Sequence, residues 1–308
     1  MLWCTVHNRH VHEGHDQRNL QCKDKVFSFG LMWPPKRRLE PTRRVLGVSV
    51  LPTSLDLRPI LVSGGFVTFN QGQMESCTAN CGCEDKALTT IKMGQNYQTY
   101  SRDFLWYQER VMNGTTNQNV GANMVDIGDV LAQSGVCYDT TMPYSQSNYT
   151  TAPLPAAYTE AANHKSSANQ TAVTPSDFKL ALLDCQQQAN LGSVRIGVPV
   201  GQSFMNANTN GGWVPVPPPN DNHLGGHAML LVGYNDTLQG PDGNVGYFLA
   251  LQSWGNVGDM TSGLSTFKFP YAFFTAGWVV ALGDTDNYQQ PDLSSTSPSP
   301  SPPNPYST

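Results

Sequence analysis

The chain has 308 residues, enough for one large domain or two small lobes. Hydrophobic residues make up 39% of it, which permits a buried core, and 28 Gly and 22 Pro indicate a loop-rich globular protein. A formal net charge of −5 gives no general case for binding nucleic acid, and no apolar run approaches the roughly 20 residues of a membrane-spanning helix.

Residues 1–50 differ from the rest in charge. They hold nine of the 18 Lys and Arg residues and only four of the 23 acids, so the remainder of the chain is acidic. The first residues are polar and lack the apolar region of a signal peptide, so the compartment stays unknown. Two interpretations of this segment remain open. It is either a flexible basic arm, or a pro-segment or strap that docks on the acidic remainder through Phe27, Phe29 and Trp33.

The same segment is rich in metal-ligand residue types, but their spacing matches no standard zinc pattern. They are Cys4, His7, His10, His12, His15 and Cys22. We therefore predict no metal and no cofactor.

Helical patterns dominate the first half of the remaining chain. Residues 76–93, 101–111, 123–132 and 175–188 each combine helix-forming periodicity with start or stop signals. Ser76 is the expected cap of the first of these helices, which places Cys77 in its first turn. Gly82 lies inside that helix, where a small residue permits a close crossing of neighbouring elements.

Strand patterns follow. Residues 194–198, 228–232, 247–251 and 267–269 are apolar or alternating runs typical of strands. Helices first and strands second predict an α+β fold. The last residues, 291–308, are rich in Ser and Pro and predict an extended, disordered tail. The predicted domain organisation is therefore residues 1–50, a catalytic domain at 51–290, and the tail.

Three motifs carry candidate chemistry. Residues 70–77 read Asn-Gln-Gly-Gln-Met-Glu-Ser-Cys, residues 225–234 read Gly-Gly-His-Ala-Met-Leu-Leu-Val-Gly-Tyr, and residues 252–255 read Gln-Ser-Trp-Gly. A cysteine at a helix start with a distant histidine is a pattern for a thiol nucleophile and a separate base. The positive end of the helix dipole and a nearby imidazolium would both lower the pKa of Cys77.

These motifs resemble those of papain-like cysteine peptidases of the C1 family. Weaker matches at Leu55-Asp56-Leu57-Arg58, at Val120-Gly121 and at Pro143 fall in the same order as in the family, so the resemblance covers roughly residues 50–290. It implies a two-lobe fold, with a helical left lobe, a β-barrel right lobe and the active-site cleft between them. It also implies a cysteine-type endopeptidase that acts on extended polypeptide, with no nucleic-acid or membrane partner.

The resemblance assigns the catalytic roles. Cys77 would be the nucleophile and His227 its acid and base, and the Gln71 amide would complete the oxyanion hole with the Cys77 N–H. Gln252 stands where the family places an asparagine that orients the histidine. Its side chain has one more methylene, so the imidazole would be held less tightly.

For substrate binding, the resemblance points to Val120 and Gly121 on one side of the cleft and to Asn123, Ala228 and Trp254 around the main specificity pocket. Val120 replaces a glycine of the family, and Asn123 would make the pocket more polar. Met74 occupies a position that often holds a disulfide cysteine, so that bridge cannot form and a largely reduced protein is expected.

Two other functions remain open at this point. The fold could serve as a binding or structural module with weak or no catalysis, which the changes at Gln252 and Val120 would favour. Alternatively, the pair could perform another Cys-His acyl transfer of the amidase or transglutaminase kind, in which an aspartate orients the histidine. Asp236 lies in the neighbourhood of His227 in the sequence, but not at the place expected for that role.

Overall fold

The structure, a computed structural model, describes residues 2–4, 9–11, 19–22, 25–32, 51–170, 174–275 and 282–288, with side chains placed in 29–32, 51–166 and 174–275. The tail at 291–308 and Trp33 lie outside these residues. The side chains of Phe27, Cys4 and Cys22 also lie outside, as does the histidine-rich stretch as a candidate metal site.

The helices of the described chain are Arg58–Ser63 (α1), Cys77–Lys92 (α2), Arg102–Asn113 (α3), Met124–Gln133 (α4), Pro155–Ala161 (α5) and Pro175–Gln187 (α6), with 3-10 turns at Ser203–Asn208 and Tyr271–Thr275. The strands are Leu2–Cys4 (β1), Arg9–Val11 (β2), Asn19–Cys22 (β3), Lys25–Ser28 (β4), Ser54–Asp56 (β5), Ser166–Gln170 (β6), Arg195–Gly201 (β7), His223–Gln239 (β8), Val245–Leu251 (β9), Thr266–Pro270 (β10) and Leu282–Tyr288 (β11).

One antiparallel sheet organises the second half of the chain. Its strand order is β10-β9-β8-β7-β11-β6, and β5 pairs with β8 off this path. The strands β1 and β2 form a separate hairpin, as do β3 and β4. Helices α2, α3 and α4 pack against one another, and α2 and α4 also pack against the sheet. This confirms the predicted α+β class, with helices and a curled sheet as two lobes.

The helix α2 is the structural centre because it contacts both lobes. It packs on α1, α3 and α4 and also on β7 and β8. Its residues from Cys77 to Thr90 are all buried. A Cβ at Gly82 would lie only 2.7 Å from Ile127 and 2.7 Å from Leu105, so this glycine permits the close crossing that the sequence predicts.

The start of α2 differs in detail from the prediction. Ser76 precedes the helix, but its side chain makes no capping hydrogen bond. Its hydroxyl instead lies 2.7 Å from the Tyr144 hydroxyl and accepts a bond from Asn80 Nδ2 at 3.0 Å. The backbone of Ser76 is not in the extended conformation that a serine cap requires. Ser76 therefore ties the helix start to the left lobe rather than capping it.

Residues 29–32 form a strap that runs between the two lobes. Leu31 makes isolated bridges to Ala122 on the helical side and to Gly226 on the sheet side. Phe29, Gly30 and Leu31 are buried. This part of the basic N-terminal segment therefore lies in the cleft between the lobes.

Candidate active site

Cys77 is the first residue of α2 and is fully buried where the two lobes meet. The backbone amides of Ala228, in β8, and of Gly30, in the strap, lie close enough to lower the pKa of its thiol. The start of α2, the residue after His227 and the strap therefore converge on the thiol. Cys77 and the segment that carries His227 therefore lie on facing elements where the two lobes meet.

The strap pairs with backbone from both sides of the cleft, as a bound peptide would. Ala122 N–H donates to the Gly30 carbonyl at 3.0 Å, and Met32 N–H donates to the Ala122 carbonyl at 2.8 Å. On the other side, Leu31 N–H donates to the Gly226 carbonyl at 3.2 Å. Ala122 was not among the predicted binding residues, although its position directly after Gly121 was a usable signal.

Two glycines allow the strap to come this close. A Cβ on Gly30 would lie 2.0 Å from the Glu75 carbonyl oxygen, and a Cβ on Gly121 would lie 1.6 Å from the Gly30 carbonyl oxygen. Real Cβ atoms do not approach backbone oxygens so closely. Gly121, predicted to bind substrate, is therefore a position where only glycine admits an extended backbone.

His227 lies in β8, opposite Val198 of β7. Its ring stacks on the Trp254 indole with the centroids 4.2 Å apart and the planes 21° from parallel. Among the described residues, neither of its buried ring nitrogens has a hydrogen-bond partner. The histidine is thus held by ring stacking, and it is not hydrogen-bonded to Cys77 in this covered arrangement.

Burial keeps both groups neutral in this arrangement. It raises the pKa of the Cys77 thiol to about 12, and the nearby backbone amides of Ala228 and Gly30 only partly offset the rise. Burial also lowers the pKa of His227 to about 3. The expected stabilisation of the thiolate by the helix start is outweighed, because desolvation disfavours the charged form of either group. The strap-covered site therefore holds a thiol and a neutral imidazole.

Gln252 does not reach His227 in this structure. Its Nε2 donates to the Gly255 carbonyl at 3.0 Å and to Ser265 Oγ, and its Oε1 accepts from the Trp254 N–H. The extra methylene turns the amide back onto its own loop. Gln252 consequently fixes the turn that carries Trp254, whose indole stacks on the histidine.

Gln71, the predicted second donor of the oxyanion hole, is fully buried. Its backbone N–H donates to the Ser253 carbonyl at 2.8 Å. Its side-chain Nε2 donates to the Met74 carbonyl at 2.9 Å, and its Oε1 accepts from Ser253 Oγ at 2.7 Å. The 70–77 loop and the 252–255 turn are therefore locked together, which fixes the orientation of the Gln71 amide.

The predicted substrate-binding residues separate into two groups. The Val120 carbonyl points away from the cleft and accepts a hydrogen bond from Trp106 Nε1 at 3.0 Å. Asn123 begins α4, and its side chain lies 3.7 Å from Met32 Sδ and 3.4 Å from Asp126. Asn123 thus contacts the strap, whereas Val120 serves the left lobe.

Leu31 occupies an apolar pocket. A Cβ on Gly197 would lie 2.8 Å from Leu31 Cδ2 and 2.9 Å from Met124 Cγ, and one on Gly226 would lie 3.1 Å from Leu31 Cβ. The leucine therefore fits where two glycines leave room. The polar character expected from Asn123 applies to the neighbouring position of Met32, not to this pocket.

The five cysteines with described side chains, Cys77, Cys81, Cys83, Cys137 and Cys185, are all buried free thiols. Cys81 and Cys83 are buried residues of α2, as predicted for structural residues.

The described part of the chain holds no group of three or more metal-ligand side chains. Nor does it contain a helix of the length and apolarity needed to cross a bilayer.

Asp236 does not approach the histidine. Its carboxylate accepts from Lys179 Nζ at 2.6 Å and from the Tyr271 hydroxyl at 2.6 Å. No described aspartate therefore orients His227, and the alternative based on a Cys-His-Asp arrangement has no structural support here.

Comparisons with known proteins agree with the fold and with the family resemblance. No protein-family model matches the chain. A protein of Acanthamoeba polyphaga mimivirus, described as an uncharacterized peptidase C1-like protein, is 28% identical over 268 residues, which span 80% of this chain and 82% of the viral one.

Solved structures extend the comparison. Xylellain, a cysteine protease from Xylella fastidiosa, superposes with a TM-score of 0.69 and 26% identity, covering 84% of this chain and 94% of xylellain. A procathepsin B from Trypanosoma congolense has the same fold, with a TM-score of 0.63 and 13% identity over 85% of this chain and 86% of its own. The resemblance to papain-like cysteine peptidases and the papain-like fold are thereby confirmed, and a thiol hydrolase is supported at the family level.

Proposed function

We propose that this protein hydrolyses peptide bonds with Cys77 as nucleophile and His227 as general acid and base, and that residues 29–32 cover the cleft until they are displaced. In this proposal the Cys77 N–H and the Gln71 amide stabilise the oxyanion. The substrate is an extended polypeptide, which pairs with Ala122 and Gly226 as the strap does.

One observation carries the proposal: an extended peptide already lies against the Cys77 sulfur. The strap receives and donates backbone hydrogen bonds on the helical side at 3.0 and 2.8 Å and donates on the sheet side at 3.2 Å. Such pairing is sequence-independent, so it suits many polypeptides. The pocket that holds Leu31 adds a preference for substrates with an apolar side chain at the position equivalent to Leu31.

Displacement of the strap would let water and substrate reach the pair. Burial is the largest cause of both pKa shifts, so exposure would lower the pKa of the thiol and raise that of the imidazole. Proton transfer from Cys77 to His227 then becomes favourable, and the thiolate attacks the scissile carbonyl. The imidazolium subsequently protonates the leaving amine.

The test compares cysteine variants after the strap has been displaced. We expect Cys77→Ala to abolish peptide hydrolysis, while Cys81→Ala and Cys83→Ala lower thermal stability with turnover largely kept, because Cys81 and Cys83 only pack in α2. A thiol-reactive epoxide should label Cys77 alone, located by peptide mapping. Labelling chiefly at Cys81 or Cys83, or full hydrolysis by Cys77→Ala, would remove Cys77 from the mechanism.

A second candidate function is a weakly active or inactive papain-like module. The observation in its favour is that Gln252 bonds to its own turn and leaves the His227 ring nitrogens without partners in the described chain. The same experiment separates the two. A strap-displaced protein that neither hydrolyses peptides nor reacts with the epoxide would be the module.

A further inference from the structure

A buried carboxyl group lies directly behind the nucleophile. Glu109, in α3, is fully buried, and its Oε2 accepts a hydrogen bond from Thr78 Oγ1 at 2.7 Å. Thr78 follows Cys77 in the first turn of α2. The carboxyl group is thus one residue removed from the thiol along the helix.

Few groups around Glu109 stabilise its ionised form. Its second oxygen, Oε1, has no hydrogen-bond partner among the residues the structure describes. The charged groups that act on it are Asp126 of α4, which opposes ionisation, and Arg110 of α3 and Arg195 of β7, which favour it. Two nitrogens of Arg110 are already bonded to carbonyls at 2.7–3.0 Å.

Burial outweighs these cations and raises the pKa of Glu109 well above its usual range. An ionised, half-bonded carboxylate in the protein interior is expensive, whereas a neutral carboxyl group is tolerated. When Glu109 does ionise, its charge raises the pKa of Cys77, because like charges disfavour each other.

We propose that Glu109 is a positioning residue: buried behind Thr78 with one oxygen unbonded, it stays neutral and so adds no negative charge behind the first turn of α2, where Cys77 must ionise. This inference rests on the proposed function, since it concerns the reactivity of the same thiol. When Glu109 ionises at higher pH, its negative charge lowers the fraction of Cys77 that is present as thiolate. This effect does not depend on His227.

The experiment measures the rate of alkylation of Cys77 by iodoacetamide in the full chain as a function of pH, with the site located by peptide mapping. Glu109→Gln cannot ionise. We expect it to match the unmodified protein at acidic pH and to react about tenfold faster at alkaline pH, the effect of about one pKa unit. Thr78→Val removes the hydrogen bond that favours ionisation of Glu109, so the pH at which the alkylation rate falls below that of Glu109→Gln should be higher. Thr78→Ser keeps a hydroxyl donor and should return that pH to its value in the unmodified protein.

A second readout does not depend on access to the thiol or on the folding of a variant. The ¹³C carboxyl resonance of Glu109 in the otherwise unmodified protein should titrate far above the exposed glutamates. A Glu109 that titrates with those glutamates, or a Glu109→Gln rate in constant ratio to the unmodified protein at every pH, would overturn the inference. Loss of peptide hydrolysis in Cys77→Ala tests the proposed function separately, and neither result depends on the other.

Discussion

At the scale of single residues, Gln252 illustrates how one methylene redirects a side chain. The sequence predicts an amide that bonds the histidine loosely, but the longer chain reaches the Trp254 N–H, the Gly255 carbonyl and Ser265 instead. The position of the amide could be predicted from the motif. Its partner could not, because the choice depends on where a loop some ten residues later places Ser265.

We expect Gln252→Ala to lower stability by about 1–3 kcal/mol, because it leaves buried polar partners unbonded. Gln252→Glu is the matched control, since it keeps an acceptor for the Trp254 N–H but cannot donate to Gly255. Gln252→Asn decides the catalytic role. If its shorter amide bonds His227, activity is kept or raised, whereas if it only loosens the turn, activity and melting temperature fall together.

Glu84 supplies a stability prediction in α2. Burial raises its pKa to about 8, with Arg102 opposing the shift. Because the folded state holds the proton more tightly than the unfolded state, stability is lost as the pH rises from about 4.5 towards 8. Glu84→Gln should remove this loss.

The measurement is the melting temperature of Glu84→Gln and of the unmodified protein at acidic and alkaline pH. The variant should melt higher at alkaline pH, by roughly 2–4 °C for each kcal/mol regained, and the difference should shrink at acidic pH. A difference that does not change with pH would mean that Glu84 is ionised in the folded protein.

At the scale of elements, the long periodic helices and the strands at 194–198, 247–251 and 267–269 were predictable, whereas the short helices and the full length of the longest strand were not. The helix predicted at 76–93 is observed as Cys77–Lys92, and that at 175–188 as Pro175–Gln187. The strand predicted at 228–232 instead runs from His223 to Gln239, because pairing with β5, β7 and β9 draws in polar residues and glycines. No local pattern indicated α1, α5, β6 or the placement of the strap.

The strap gives a sharp test at this scale. Gly30→Ala places a methyl group against the Glu75 carbonyl, so the strap should lift and hydrolysis by the full chain should rise. Gly121→Ala is the matched variant, with the added methyl group on the wall of the cleft instead of on the strap. There it blocks both the strap and the substrate, so the activity of this variant should stay low. Equal activity of the two variants would mean that the strap does not limit access to Cys77.

At the scale of the whole molecule, charge separates the N-terminal segment from the rest. Residues 1–50 are basic and the remainder is acidic, and the part of the segment with described side chains, 29–32, lies in the cleft. Phe29, one of the aromatic residues expected to anchor the segment, makes a T-shaped contact with Trp254, with the ring centroids 5.7 Å apart. Hydrogen bonds and apolar contacts position the strap, and we expect the surrounding charges to add to its affinity.

We therefore expect the intact chain to gain activity as salt is added, since screening shortens the range of the attraction from about 10 Å at 0.1 M to about 3 Å at 1 M. A chain cut near Val48 should respond more steeply, because the released segment can then dissociate once its charges are screened. Gly30→Ala controls for general effects of salt on catalysis. Because the strap of this variant is already lifted, its activity should change little over the same range of salt. If its activity rises as much as that of the intact chain, the salt effect does not come from the docking of residues 1–50.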